Sequence, residues 1–312
     1  MDSRKPLDSL AIGLMIPFCI CFGLQQVALK AAAPDMAPML QIALRSILGA
    51  AMVYALLRWQ KESMTWRNGV WQPGLLVGVL FALEYVFLAE ALRYTSAGHA
   101  VVFLYTSPMF SALILHFRLE TERMSLVQWL GILLAFAGIV TAFGGNLSID
   151  SSEQLFGDFL ALLGGLAWGL TTVVIRTSSL SNLPSKQTVL YQLLVAAALL
   201  TPLAWWWDQF SFNPTPLLLG SLAFQTLIIA FGALLIWFWL LRNYQASRIG
   251  VLSFMTPIFG VLLGAWLLDE TIEPGFMLGA LLVVAGISLV SGHEWLLGYW
   301  RKRQARMLVP GG

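Results

Sequence analysis

The sequence predicts an all-α integral membrane protein of ten transmembrane helices, arranged as two inverted five-helix repeats. Three observations predict it. The 312 residues are 58% hydrophobic and 11% charged, with a mean hydropathy of +0.77, whereas an average soluble domain carries about 25% charge. Such a chain cannot cover itself with polar surface. Apolar segments of spanning length recur along it, each near the roughly 20 residues that a hydrocarbon core of about 30 Å requires. Finally, Leu92–Phe143 returns, diverged, as Leu241–Val290. Leu92-Arg93 falls on Leu241-Arg242, Ala97 on Ala246, Pro108 on Pro257 and Phe110 on Phe259. After a gap of one residue, Glu122 falls on Glu270, Gly131 on Gly279 and Ala137-Gly138-Ile139 on Ala285-Gly286-Ile287. A repeated unit fixes the architecture before any element is considered singly.

Taken in order, the expected spans are Leu10–Leu29, Met39–Leu57, Gly74–Leu92, Ala97–Phe117 and Leu126–Phe143, then Phe156–Ile175, Val189–Trp207, Leu217–Leu241, Ile249–Leu268 and Gly275–Val290. The first begins like a signal peptide, with Arg4 and Lys5 before an apolar run and Ala31-Ala32-Ala33 after it. Its FGLQQVALK, however, aligns with the internal WGLTTVVIR at Trp168–Arg176, so a retained helix is expected. The second span carries Arg45, the third Glu84 and Glu90. Pro108 and Pro257 lie mid-helix in the fourth and ninth, each freeing a carbonyl one turn earlier. The fifth opens with a capping box, Ser125 to Gln128, and the tenth with Pro274 in its first turn. Glu122 and Glu270 precede these two starts, where the positive end of the helix favours an acid.

Lys and Arg in the short loops set orientation. With the amino terminus cytoplasmic, fifteen of the eighteen fall inside. Only Lys30 and Arg93 fall outside, and Arg45 lies within a helix. Both termini and the loop Arg58–Gly69 are therefore expected to be cytoplasmic, with the Gly144–Gln154 loop outside. Lys30 aligns with Arg176 and Arg93 with Arg242, one of each pair on either side of the membrane. Five helices per half is an odd number, so the second half enters the bilayer upside down.

Two inverted halves, each with an apolar-Ser/Thr-Pro turn, a Glu and a Gly…Ala-Gly-Ile helix, resemble the EamA family of the drug/metabolite transporter superfamily. The motifs are LRYTSAGHAVVFLYTSPMF…ETERMSLVQWLGILLAFAGI, WGLTTVVIR and MTPIFGVLLGAWLLDETI…GFMLGALLVVAGI. The resemblance covers nearly all of a single transmembrane domain, residues 1–312, with repeats at 10–143 and 156–290. It implies a secondary carrier moving a small metabolite across the cytoplasmic (inner) membrane by alternating access. It also implies a central cavity lined by helices 1, 3, 4, 6, 8 and 9. Some relatives export amino acids, and nothing in the residues selects that substrate.

Glu84 is the sharpest candidate. At 1.5 Å per residue it lies about 15 Å below the outer end of its helix, near the midplane, where an acid marks a functional site by default. It could hold a coupling proton, neutralise a substrate amine, or be satisfied by a neighbouring helix. Gln25, Gln26, Tyr105, Trp168, Thr171, Thr172 and Trp237 place polar or aromatic groups in the helices assigned to the cavity, a lining suited to a small amphipathic solute. Pro108 and Pro257 are expected as hinges. Glu90 and Arg45 lie at matching depths, about 6 and 9 Å from the outer ends of their helices, and are expected to form a structural ion pair.

No cofactor is expected. His99, His116 and His293 lie in different segments, and Cys19 and Cys21 point to different sides of one helix, so no metal site is expected. The net charge of +2 gives no reason to expect a nucleic-acid partner. The expected partners are the lipid bilayer, a small-molecule substrate and a coupling proton. A polytopic membrane enzyme or a channel are the rival readings, although the chain has no His-Glu-x-x-His and no phosphate-binding loop.

Overall fold

A computed structural model describes residues 8–62, 69–120, 123–144, 152–243, 252–253 and 255–289. All of the regular structure among them is helical. Seven helical spans are long and apolar enough to cross a membrane: Ser9–Ala31, Pro38–Trp59, Trp71–Tyr94, Ala97–Arg118, Ser152–Thr177, Ser185–Trp206 and Pro216–Trp237. Three shorter apolar helices, Leu126–Ala142, Met255–Leu267 and Pro274–Leu289, accompany them. Outside the described residues lie Glu122, Arg67, Arg248, the cations from Arg301 onward, His293, Trp295, Trp300 and most of the loop between the halves.

The first three helices are α1 (Ser9–Ala31), α2 (Pro38–Trp59) and α3 (Trp71–Tyr94). Asp8 caps α1 by accepting from Ala11 N–H at 2.8 Å, and Pro38 opens α2, where its missing donor costs nothing. The fourth span is two helices, α4 (Ala97–Leu104) and α5 (Ser107–Arg118), parted at Tyr105-Thr106. Pro108 therefore sits in the first turn of α5 rather than inside a continuous helix. Pro257 lies in Met255–Leu267, with Leu252 and Ser253 also helical. The mid-helix position expected of Pro108 is corrected: the chain restarts there, where the missing N–H is tolerated.

α6 (Leu126–Gly144) begins with the expected capping box: Ser125 N–H donates to Gln128 Oε1 at 2.9 Å and Gln128 N–H to Ser125 Oγ at 3.4 Å. α7 (Ser152–Thr177) and α8 (Ser185–Trp206) follow. The eighth span is α9 (Pro216–Ala223), a π-helical stretch Phe224–Ala233 and α10 (Leu234–Asn243). A π-helix ten residues long is unusual, since most are single turns at functional sites. The last two are α11 (Met255–Leu267) and α12 (Pro274–Leu289).

α7 packs along α3, α4 and α5; α2 packs along α8 and the π stretch; α1 packs along α11. Two sets of close backbone approaches are repeat-equivalent. A Cβ on Gly23 of α1 would lie 2.8 Å from Gly260 N and 3.1 Å from the Phe259 carbonyl carbon; one on Gly169 of α7 would lie 3.0 Å from Phe110 Cβ and 3.3 Å from Ser111 N. The sequence alignment carries Gly23 to Gly169, Phe259 to Phe110 and Gly260 to Ser111. Between α6 and α12, a Cβ on Gly138 would meet Gly279 O at 2.7 Å, and one on Gly286 would meet Gly131 O at 2.5 Å. The alignment exchanges these two contacts. Small residues let the backbones meet where lipid supplies no hydrophobic drive.

Candidate functional site

The polar residues divide into a hydrogen-bonded group at the helix ends around Glu270, Asp158 and Glu90 and a group buried in the bundle, five of whose oxygens have no partner. In the first, Glu270 accepts from Ala97 N–H at 2.6 Å and Gly98 N–H at 3.1 Å, and Ser96 Oγ accepts from His99 N–H at 2.9 Å. The exposed donors of the first turn of α4 are thereby met. Glu270 thus serves α4, not the helix that follows it in sequence. Asp269, at φ 53°, turns the chain after α11 toward α4. Lys30 lies 3.7 Å from Glu270 and donates to Thr95 O at the end of α3. Beside them, buried His99 Nδ1 stands 2.9 and 3.0 Å from the Asp158 carboxylate oxygens, with Thr95 Oγ1 donating to the same carboxylate. The His99 ring stacks on Phe276, with centroids 3.6 Å apart.

Glu90 belongs to this group. Its carboxylate accepts from Arg93 Nη1 at 2.8 Å and from Gln209 Nε2 at 2.7 Å. The expected pair with Arg45 is not formed. Arg93 lies three residues on along the same helix and reaches Glu90 locally, whereas Arg45 points elsewhere.

The second group is buried in the bundle; Glu84, on α3, is 5% exposed. Its Oε2 has no hydrogen-bond partner. Gln25 Oε1 and Gln26 Oε1 on α1, Thr226 Oγ1 in the π stretch and Thr256 Oγ1 on α11 are likewise buried and unpartnered. Arg45, 2% exposed, enters from α2. Its guanidinium carbon lies 4.4 Å from the centroid of the Tyr85 ring, and Nη1 donates to Gln225 Oε1 at 3.1 Å. Gln225 is held by Gln41 Oε1 at 3.2 Å and Ser221 Oγ at 3.1 Å. Tyr105 stands at the break between α4 and α5 and is buried.

Of the residues singled out in the sequence, Glu84, Gln25, Gln26 and Tyr105 are buried in or beside this group. Trp168 meets Tyr105 edge-on at 5.1 Å, and Trp237 stacks on Phe18 at 5.2 Å. Thr171 and Thr172 do not contribute free hydroxyls: each bonds back to its own helix, to Ala167 O at 3.1 Å and Trp168 O at 3.3 Å. Missed were Arg45 as a member of the group, Tyr85, Gln225, Thr226 and Thr256. The available signal was a polar residue inside an apolar span, which Gln225, Thr226 and Thr256 each are.

Glu84 and Arg45 are a buried acid and a buried base with no ion pair between them. The EamA-like transporter family profile matches residues 9–144 and again 155–292. The chain belongs to the EamA-like transporter family. It is similar to the Bacillus subtilis uncharacterized transporter YoaV, with 27% identity over 88% of this chain and 94% of that protein. It is 30% identical to the Pseudomonas aeruginosa protein PA1977 over 93% of this chain and 96% of that one. The Escherichia coli probable amino-acid metabolite efflux pump matches at 25% over 88% and 93%. A solved crystal structure superposes with a TM-score of 0.65 at 20% identity, over 90% of this chain and 97% of that one, a likeness of fold. This EamA protein is accordingly a multi-pass membrane protein of a transporter family.

Proposed function

We propose that the protein is a secondary carrier for a small amphipathic metabolite, amino acids being the first class to test, working by alternating access in the cytoplasmic (inner) membrane. Ten helices in two inverted halves, with both termini and the loop Arg58–Gly69 cytoplasmic, complete the reading. The observation that carries it is Glu84: a carboxylate near the midplane costs roughly 2.5–3.5 kcal/mol on insertion scales, and here one of its oxygens is left without a hydrogen bond. A residue retained for stability would be bonded on both oxygens. Glu84 instead takes a substrate amine or a coupling proton, with Gln25, Gln26 and Tyr105 around it and Trp168 and Trp237 as apolar wall. The repeat-equivalent approaches of Gly23 and Gly169, and the exchanged contacts of Gly138 and Gly286, support halves related by a two-fold axis. Pro108 and Pro257, repeat-equivalent in sequence, supply the pivots.

The test is counterflow in liposomes, with solutes chosen by a thermal-shift screen of metabolites on the purified protein. A carrier gives saturable counterflow, a channel does not, and a membrane enzyme gives product without transport. Glu84→Gln keeps the shape and removes the charge and the titration. It should fold, lose most transport, and flatten the pH profile if a proton is coupled. Wild-type transport by Glu84→Gln would make Glu84 a structural acid.

A further inference from the structure

Buried His99 and Asp158 take no part in the solute site proposed above. They are 3% and 1% exposed, and they belong to different halves. His99 lies in the first turn of α4, within the first family repeat, and Asp158 in the second turn of α7, within the second. His99 Nδ1 stands 2.9 and 3.0 Å from the two Asp158 carboxylate oxygens, and Thr95 Oγ1, also from the first repeat, donates to one of them. The backbones close at the same place. A Cβ on Gly157, beside Asp158, would lie 2.9 Å from Thr95 N and 2.9 Å from Tyr94 Cβ, so only a glycine lets α7 come this near the end of α3. Thr95 is eleven residues beyond Glu84, about 16 Å along the helix. The seam therefore lies at one end of the bundle, apart from the buried acid. Buried acid–base pairs contribute little net stability over apolar ones, so stability alone does not account for this one.

We propose that Thr95, His99 and Asp158 form a latch between the halves, which holds this end of the transport path shut and biases the resting carrier toward the conformation closed there. The proposal rests on the carrier reading above and goes beyond it by naming the residues that gate one end. In alternating access the halves rock against each other, so contacts between them at one end break as that end opens. The repeat makes this latch one-sided. Carried along the alignment, Gly157-Asp158 falls on Ala11-Ile12, His99 on Arg248 and Thr95 on Tyr244. Isoleucine accepts no hydrogen bond, so the same latch cannot form when the halves exchange roles. Lys30 and Glu270, by contrast, have counterparts of the same charge in Arg176 and Glu122. A tie made in one conformation and impossible in its mirror shifts the population toward the first.

The test reads opening directly and needs no solute. Spin-label distances are measured on the full-length protein in nanodiscs, on a background lacking Cys19 and Cys21. One pair, at exposed Pro34 and Ser152, spans the two halves at the latch end; a second, at exposed Arg118 and Thr177, spans them at the opposite end. Without the variants below, the first pair should be mostly at its short distance. Asp158→Asn should raise its ratio of long to short distances about tenfold or more, and shorten the second pair in the same molecules. Thr95→Val removes one hydroxyl and should act in the same direction by less. Gly157→Ala leaves the polar groups in place and wedges the closed seam, so it should also open the latch end. A folding defect would broaden both distributions together, whereas release of the latch lengthens one pair and shortens the other. Should Asp158→Asn fail to fold, Thr95→Val and Gly157→Ala carry the test. Unchanged distances in all the variants that fold, lengthening of the second pair instead, or a first pair already mostly long without them would each overturn the proposal. Saturable counterflow with unchanged distances would sink the latch alone. The expected shifts without saturable counterflow of any solute would sink the carrier reading and leave the latch standing.

Discussion

Removing the Glu270 carboxylate measures how tightly the start of α4 is tied. Two backbone donors of α4 depend on it, at 2.6 and 3.1 Å, and its side chain is 12% exposed. Hydrogen bonds to a charged group contribute about 1.5–3 kcal/mol each, so Glu270→Ala should cost about 3–6 kcal/mol. The Lys30 contact, at 3.7 Å with Lys30 31% exposed, adds at most about 1 kcal/mol. Glu270→Gln keeps one acceptor and turns an amide N–H₂ toward the other donor, so it should lose about half as much. Thermal unfolding in nanodiscs should therefore rank wild type above Gln and Gln above Ala. A thiol placed at Ser96 should label faster in the Ala variant, because Ser96 stands where α4 would fray. An Ala variant as stable as wild type, or one no worse than Gln, would refute the assignment of Glu270 to α4.

Further outcomes follow from the same contacts. Gly138→Ala should destabilise by about 1–3 kcal/mol, because its Cβ would meet backbone of α12 at 2.6 Å, whereas Gly13→Ala, with nothing within 4 Å, should be neutral or mildly stabilising in the same melt. Glu90→Ala should lower stability by about 1–3 kcal/mol by releasing Gln209 and Arg93, with counterflow per folded molecule unchanged. On a background lacking Cys19 and Cys21, an impermeant thiol reagent applied outside should label a cysteine at Ser152 and spare one at Ser63; the opposite result would invert the proposed topology.

The sequence reading succeeded where the controlling interaction is local or sets a whole span. Apolar length gave the helices, and Ser125 with Gln128 gave the start of α6, because a capping box lies within four residues. It failed where the partner is set by rotation about a helix axis. Arg45 and Glu90 were paired by depth, but depth along two helices says nothing of facing; Glu90 found Arg93 on its own helix instead. Glu270 was assigned to the helix that follows it, yet Asp269 bends the chain so that the carboxylate meets α4. Thr171 and Thr172 look polar in a sequence and are already bonded one turn back. The π stretch carries no signal in its apolar composition, although it positions Gln225 against Arg45.

The contrast between the two polar groups is itself an argument about function. Lys30, Glu270, Glu90, Arg93, His99 and Asp158 all have charged or hydrogen-bonding partners within 4 Å. Helix ends can be satisfied by what lies beside them, and here they are. Glu84 is buried in the bundle, where an unmatched charge costs more, and its Oε2 is left without a partner. Stability alone would select the opposite distribution, since replacing a buried charge pair by apolar residues is often neutral or stabilising by about 1–4 kcal/mol. On the carrier reading proposed above, the unbonded Glu84 oxygen is where a polar guest would be held. The same unsatisfied acceptors that make the centre costly when empty would make it selective when filled, because each must find a donor in the solute or in water.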